Sequence, residues 1–99
     1  LENHQLINNE EQKRYEFHIN GLKPRVEYIL TKDNKIYLTH TEVPKELEGK
    51  GIASALVKAT LAEVEQSGRQ LVPLCPYVAQ YIKKHPEWNR LVAPGFSFG

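Results

Sequence analysis

Two side chains of this sequence, Cys75 and His40, are suited to nucleophilic or acid–base chemistry. Cys75 follows an apolar segment and precedes Pro76, a residue that favours the first turn of a helix. Because a helix N-terminus increases the thiolate fraction of a nearby cysteine, Cys75 is a candidate nucleophile. His40 is a candidate base, since a histidine exchanges protons near neutral pH. The structural alternatives are a small buried cysteine and a half-buried strand histidine.

A glycine loop lies between these two residues, in the segment Glu48-Gly49-Lys50-Gly51-Ile52-Ala53. Gly49 and Gly51 leave backbone N–H groups unobstructed just before a segment with helical spacing. Since a helix N-terminus carries a partial positive charge, this loop is typical of a phosphate-binding site. The loop lacks the Gly-Lys-Ser/Thr ending of a nucleoside-triphosphate loop.

Four short segments before the loop alternate between apolar and polar residues, which predicts half-buried antiparallel strands. They are Leu6–Ile7, Arg14–Ile19, Val26–Thr31 and Ile36–Val43. Polar turns separate them, at Asn8–Glu11, Asn20-Gly21 and Asp33-Asn34. Uninterrupted alternation along the last strand puts His40 on the same face as Ile36 and Leu38, and Glu42 follows on that face.

The pattern changes to helical spacing after the glycine loop. Apolar residues recur at this spacing from about Gly51 to Gln66, and Gly68 provides a left-handed stop. Gln70–Leu74 is a short apolar strand, and a strand–helix–strand unit of this length predicts a parallel, right-handed crossover. A second helix begins at Pro76 and ends before Pro86. The residues from about 89 to 99 have no period, and we expect them to form a loose tail.

These elements predict one α+β domain over residues 1–99. The composition of the chain indicates which classes of partner and which cellular compartment to expect. A net charge of +1 gives no basis for binding nucleic acid or a membrane. The single cysteine favours a reducing compartment, and we expect a cytoplasmic protein. The four histidines have no ligand spacing, so no metal site is predicted. An open sheet edge near Leu6 is compatible with a monomer or a weak dimer.

Several motifs resemble those of the GNAT N-acetyltransferase superfamily. The glycine loop is similar to its acyl-CoA signature Q/R-x-x-G-x-G/A, with Glu48 at the position of the Gln or Arg. This carboxylate predicts a weaker attraction for a pyrophosphate. Three further segments resemble the small single-domain YjdJ-like acetyltransferases: His40-Thr41-Glu42-Val43-Pro44, Val72-Pro73-Leu74-Cys75-Pro76-Tyr77-Val78 and His85-Pro86-Glu87-Trp88.

The resemblance implies an acetyl-CoA-dependent N-acetyltransferase that moves an acetyl group to an amine. In such folds the fourth and fifth strands splay apart, and the cofactor lies in the gap. By position, the implied cofactor-binding residues are Thr41, Glu42, Val43, Glu48, Gly49, Lys50, Gly51, Ile52, Ala53, Ser54, Pro76, Tyr77, Tyr81 and Lys84. If His40 and Cys75 face each other across the gap, they form a base–nucleophile pair and the acetyl group passes through Cys75. Direct attack by the amine is the alternative.

The length of the chain indicates what kind of acceptor site it can form. A minimal domain of 99 residues leaves no room for the extra elements with which larger relatives build an acceptor site. A shallow site suits the amine of a protein or peptide better than a buried small molecule. The alternative function is a CoA-binding or protein-interaction module with little or no turnover.

Overall fold

The computed structural model describes residues 4–96. Its central element is a five-stranded mixed sheet. The strands are β1 (Ile7–Asn9), β2 (Arg14–Glu16), β3 (Arg25–Leu30), β4 (Lys35–Glu42) and β5 (Gln70–Pro73). They lie side by side in chain order. The pairs from β1 to β4 are antiparallel, and β4 and β5 are parallel. The predicted α+β fold with a parallel fifth strand is confirmed.

Two helices follow the antiparallel strands, at the predicted positions. Helix α1 (Ile52–Ser67) connects β4 to β5, and helix α2 (Pro76–Lys84) follows β5. Gly68 ends α1 with a left-handed φ of 76°, a conformation that glycine adopts without steric cost. Short 3₁₀ helices at Lys45–Leu47 and Pro86–Leu91 complete the chain.

A hydrophobic core joins the sheet to both helices. Its fully buried members come from β3, β4, β5, α1 and α2, and they include Val26, Leu38, Leu56, Leu61, Val64, Leu71, Val78 and Ile82. The apolar residues of α1 recur every three or four positions, so one stripe of the helix contacts the strands. The core therefore fixes the start of each helix relative to β4.

A β-bulge interrupts the alternation of β4. Tyr28 pairs with Leu38, but Glu27 pairs with His40, so Thr39 is an extra residue on β4. An extra residue reverses the alternation beyond it. Thr41 pairs with the fully buried Val26 and thus lies on the core side. His40 and Glu42 lie on the opposite face from Leu38, and the prediction that they share its face was wrong.

Two predicted boundaries near the N-terminus differ from the structure. Asn8 and Asn9 belong to β1 rather than to the turn, which covers residues 10–13. Strand β2 ends at Glu16, although Ile19 still forms an isolated bridge with Leu22. The hairpin turn predicted at Asn20-Gly21 joins these two bridge residues, and both turn residues have positive φ.

The segment that follows the second helix packs against the sheet as far as Ala93. Its first part is the 3₁₀ helix Pro86–Leu91, and Val92 then bridges Leu71 of β5. Ala93 is buried, and its N–H donates to the Leu71 carbonyl over 2.8 Å. The expectation of a loose tail from about residue 89 was therefore wrong for this part, because tertiary contacts order it without an apolar period. Residues 97–99 of that predicted tail lie outside the described residues.

Candidate functional site

Strands β4 and β5 separate at one end of the sheet. Their parallel pairing runs from Lys35 with Gln70 to Leu38 with Pro73, and it stops there. The Cys75 N–H then donates to the Leu38 carbonyl over 2.9 Å, after which the chain enters α2. The last residues of β4 extend beyond this point and have no partner on β5. This open end creates a gap beside Thr41 and Glu42.

A cavity of about 490 Å³ lies at this open end. Its wall combines the end of β4, the 3₁₀ turn, the glycine loop, the first turn of α1 and the first turn of α2. The lining residues are Thr41, Glu42, Val43, Leu47, Glu48, Gly49, Gly51, Ile52, Ala53, Ser54 and Tyr77. Ten of these eleven residues are among those expected to bind the cofactor.

The glycine loop has the backbone geometry of an anion site. Gly49 and Gly51 have φ values of 78° and 75°, in the left-handed region that other residues rarely adopt. A Cβ at Gly49 would meet no atom within 4 Å, so the backbone conformation rather than lack of space requires glycine there. Gly51 is the N-cap of α1 and provides no side chain to bond its first N–H groups. These groups have no partner within the helix, so they fit a phosphate.

A second cavity of about 260 Å³ shares Ser54 and Tyr77 with the first. Its other lining residues are Gln80, Tyr81, Lys84 and His85, which lie along α2 and at its end. The two cavities are therefore adjacent, and together their lining residues extend from β4 to the end of α2. An elongated ligand with an anionic centre matches this shape better than a compact one.

The buried side chain of Tyr81 lines the second cavity. Burial raises the pKa of its phenol, and the nearby Glu87 and Tyr77 raise it further, although a hydrogen bond with the Ser54 side chain acts in the opposite direction. The ring stacks on His85 with centroids 4.1 Å apart. Tyr81 thus ties the first turn of α1 to α2 and remains a neutral hydrogen-bonding group.

Cys75 lies at the N-cap of α2, as expected, but it is almost fully buried. Its residue exposure is 4%, and it does not line either of the two cavities. Its sulfur lies 3.3 Å from the Thr41 hydroxyl oxygen. The side chain in contact with the sulfur is therefore that of Thr41, which lines the first cavity, and not the expected His40.

His40 lies on the solvent side of β4. Its Nε2 atom is 2.8 Å from Glu42 Oε1, and its side chain is 54% exposed. The bulge at Thr39 places it on the face opposite Thr41, whose hydroxyl contacts Cys75. The expected pair of His40 with Cys75 is not formed.

The structure therefore brings most of the expected cofactor residues together, but not all. Lys84 and Tyr81 line only the second cavity. Lys50 and Pro76 are exposed and line neither cavity. Three further lining residues were not predicted from the sequence: Leu47, Gln80 and His85. Helical spacing relates Gln80 to Tyr77 and Lys84, so that spacing could have revealed it.

No group of three or more His, Cys, Asp or Glu side chains among residues 4–96 could hold a metal ion. Within the same range, no helix has the length and apolar character needed to cross a membrane.

Comparison with known proteins identifies the family. Residues 14–91 match the model of the GCN5-related N-acetyltransferase family, and this match covers more than half of the chain. The chain belongs to the GCN5-related N-acetyltransferase family. The match spans β2 to the last 3₁₀ helix, so it includes the glycine loop and both cavities.

Similar proteins include vertebrate members of one group. The chain is 30% identical over 84 residues to Protein NATD1 of Gallus gallus, covering 83% of this chain and 76% of that protein. It is 31% identical over 77 residues to Protein NATD1 of Homo sapiens, covering 76% of this chain and 68% of that protein.

A solved structure has the same fold. It is the solution NMR structure of a GCN5-like protein from Staphylococcus aureus, with a TM-score of 0.69. The two chains are 20% identical, and the match covers 99% of this chain and 95% of the other. Family membership and fold together support a general role in acetyl transfer.

Proposed function

We propose that this protein binds acetyl-CoA along the two adjacent cavities and transfers the acetyl group to an amine. One observation carries the proposal: the first cavity connects the unpaired end of β4 to the glycine-capped N-terminus of α1. An extended arm with amide groups and an anionic centre needs both features. A backbone edge can pair with the amides, and a helix N-terminus can bind the phosphates.

Each part of the wall has a role in this proposal. The backbone groups from Gly49 to Ala53, with the Ser54 hydroxyl, bind the pyrophosphate. The backbone of Thr41–Val43 pairs with the pantetheine amides in place of the missing strand. Tyr77 and Tyr81 flank the arm, Lys50 and Lys84 attract the phosphates, and Pro76 sets the start of α2. When bound, acetyl-CoA supplies an activated acetyl thioester.

The chain must then present an acceptor amine to that thioester. A neutral amine is required, because a protonated amine has no lone pair for attack. The first cavity is open to solvent beside Glu42 and Glu48, which are both exposed. This openness supports the amine of a protein or peptide as the acceptor. Transfer takes place either by direct attack or through Cys75.

A second candidate function is a CoA-binding module with little turnover. It is favoured by the separation of His40 from Cys75, because the sulfur contacts the Thr41 hydroxyl and His40 pairs with Glu42 instead. A binding module needs only the glycine loop and the edge of β4. The two functions therefore share a ligand and differ in the acceptor step.

Titration calorimetry with CoA, followed by incubation with acetyl-CoA and a panel of amines, tests both functions. We expect CoA to bind and at least one peptide or small amine to gain an acetyl group, as measured by mass spectrometry. Binding with no acetylated amine would favour the module. Absence of CoA binding would overturn the proposed site, and the glycine loop would then be an ordinary strand–helix turn.

A further inference from the structure

The bulge on β4 selects the side chain that meets Cys75. Without an extra residue at Thr39, alternation would turn His40 toward the core. With it, Thr41 lies on the core side, opposite Val26. Its hydroxyl oxygen is 3.3 Å from the Cys75 sulfur. The contact therefore follows from the register of β3 and β4.

Thr41 has contacts on two sides. It lines the first cavity, and its hydroxyl contacts a sulfur that does not itself line that cavity. Backbone hydrogen bonds hold Cys75 from the other directions, since its N–H donates to Leu38 and its carbonyl accepts from Ala79. With its backbone held, Cys75 can still rotate about its side-chain torsion, and the contact with Thr41 restricts that rotation.

We propose that Thr41 is the positioning residue for Cys75: its hydroxyl holds the buried sulfur in one orientation and donates a hydrogen bond to the thiolate. This inference rests on the proposed function, and it selects the route through Cys75. A hydroxyl can accept from a thiol and donate to a thiolate, so the same contact persists in both protonation states. Hydrogen bonds to an ionised group are stronger than those between neutral groups.

The step that Thr41 would assist is a thiol–thioester exchange. The Cys75 sulfur forms a bond to the acetyl carbonyl carbon, and the bond from that carbon to the CoA sulfur breaks. The proton that leaves Cys75 ends on the CoA sulfur, so the products are an acetylated Cys75 and free CoA thiol. No other reactant is needed. The acceptor amine then attacks the same carbon and restores the Cys75 thiol.

Two substitutions at Thr41 separate the role of the hydroxyl from packing. Thr41→Val keeps the shape and removes the hydroxyl, whereas Thr41→Ser keeps the hydroxyl and removes a methyl group. Two rates are measured by intact mass: acetylation of Cys75 by acetyl-CoA, and alkylation of Cys75 by iodoacetamide without any CoA. Cys75→Ser provides the blank, and circular dichroism checks that each variant is folded.

We expect Thr41→Val to lower both rates by about tenfold or more, and Thr41→Ser to retain them within about threefold. Calorimetric CoA affinity should change much less than the rates, because backbone groups of Thr41 face the cofactor. Normal rates in the valine variant, or equal losses in both variants, would overturn the inference. A folded wild type that iodoacetamide does not modify would also overturn the inference, since the Cys75 sulfur would then not be accessible to a reactant.

The alkylation measurement separates failure of this inference from failure of the proposed function. If CoA does not bind but the valine variant alone is slow to alkylate, the proposed function fails and the orienting role of Thr41 stands. If CoA binds and both variants alkylate like the wild type, the cofactor site stands and the role of Thr41 fails.

Discussion

His40 and Glu42 form a hydrogen-bonded pair on the exposed side of β4, with Nε2 of His40 2.8 Å from Oε1 of Glu42. Both side chains are about half exposed, at 54% and 48%. Thr41 lies between them in sequence and contacts Cys75 on the other face. The strand therefore separates the imidazole from the sulfur.

Replacing His40 with alanine should have little effect on the reaction at Cys75. Acetylation of Cys75 by acetyl-CoA should stay within about threefold of wild type, because the imidazole faces solvent on the opposite side of the strand. Exposed pairs of this kind contribute about 1 kcal/mol or less to the free energy of unfolding. Intact-mass kinetics and urea unfolding measure the two effects. A hundredfold loss of acetylation in a folded His40→Ala variant would contradict this geometry.

The two glycines that flank α1 provide a matched test of the phosphate site. Gly51 and Gly68 have nearly identical φ values of 75° and 76°, but Gly51 alone lines the cavity. Alanine at either position should lower the free energy of unfolding by about 1 kcal/mol, because a side chain is strained in the left-handed region. Gly51→Ala should also weaken CoA binding by about tenfold or more, a loss of about 1.4 kcal/mol.

Calorimetry on both variants separates these effects. Gly68→Ala should bind CoA like the wild type, since it lies at the far end of α1. Equal affinities for the two variants would mean that the N-terminus of α1 does not bind the ligand.

The parts of the fold that depend on local pattern could be predicted from the sequence. Helix α1 begins one residue after the predicted Gly51 and ends one residue after Gln66. Apolar spacing and the glycine stop determine such a helix locally. The parallel β4–β5 pair follows from the strand–helix–strand order of the chain, so it too could be predicted.

The bulge at Thr39 could not be predicted in the same way. The residues from Ile36 to Glu42 alternate without interruption, and a register shift depends on how β3 pairs with them. Because of this one extra residue, Thr41 rather than His40 contacts Cys75, so the expected pair of His40 with Cys75 is not formed although most of the expected cofactor residues line the two cavities. The contact of Ala93 with Leu71 was missed for a similar reason, because it joins residues distant in sequence.

Glu48 should limit the affinity for CoA. It lines the cavity beside the glycine loop, at the position where the superfamily signature has Gln or Arg. Glu48→Gln should strengthen CoA binding by about threefold, and Glu48→Arg by about tenfold, because a negative charge near the pyrophosphate is removed or reversed. Calorimetry in low and high salt should show that the gain shrinks as salt screens the charges.

Glu46→Arg is the control for this effect. It makes the same charge change two residues away, on an exposed side chain that does not line the cavity. Its effect on affinity should be small. An equal gain from Glu46→Arg would indicate a general effect of net charge, and the position of Glu48 would then have no special importance.

Glu16 should make the stability of the sheet dependent on pH. Its exposure is 1%, and its carboxylate lies 2.7 Å from both Arg14 Nε and His18 Nε2. Burial raises the pKa of Glu16, but the hydrogen bonds with His18 and Arg14 outweigh it, so the pKa lies below its usual value of 4.5. Since folding favours the ionised form, this contribution is present above that value and is lost as pH falls through the folded-state pKa.

Glu16→Gln tests this dependence, with Glu27→Gln as the control. Glu27 also pairs with an arginine two residues earlier, Arg25, but its side chain is 38% exposed. Near pH 7, urea unfolding should show a loss of about 2 kcal/mol or more for Glu16→Gln and less than about 1 kcal/mol for Glu27→Gln. The difference between wild type and Glu16→Gln should shrink as the pH is lowered from about 5 to about 3, because the wild-type carboxylate becomes protonated. A difference that stays constant over this range would mean that the ionised form of Glu16 does not stabilise the fold.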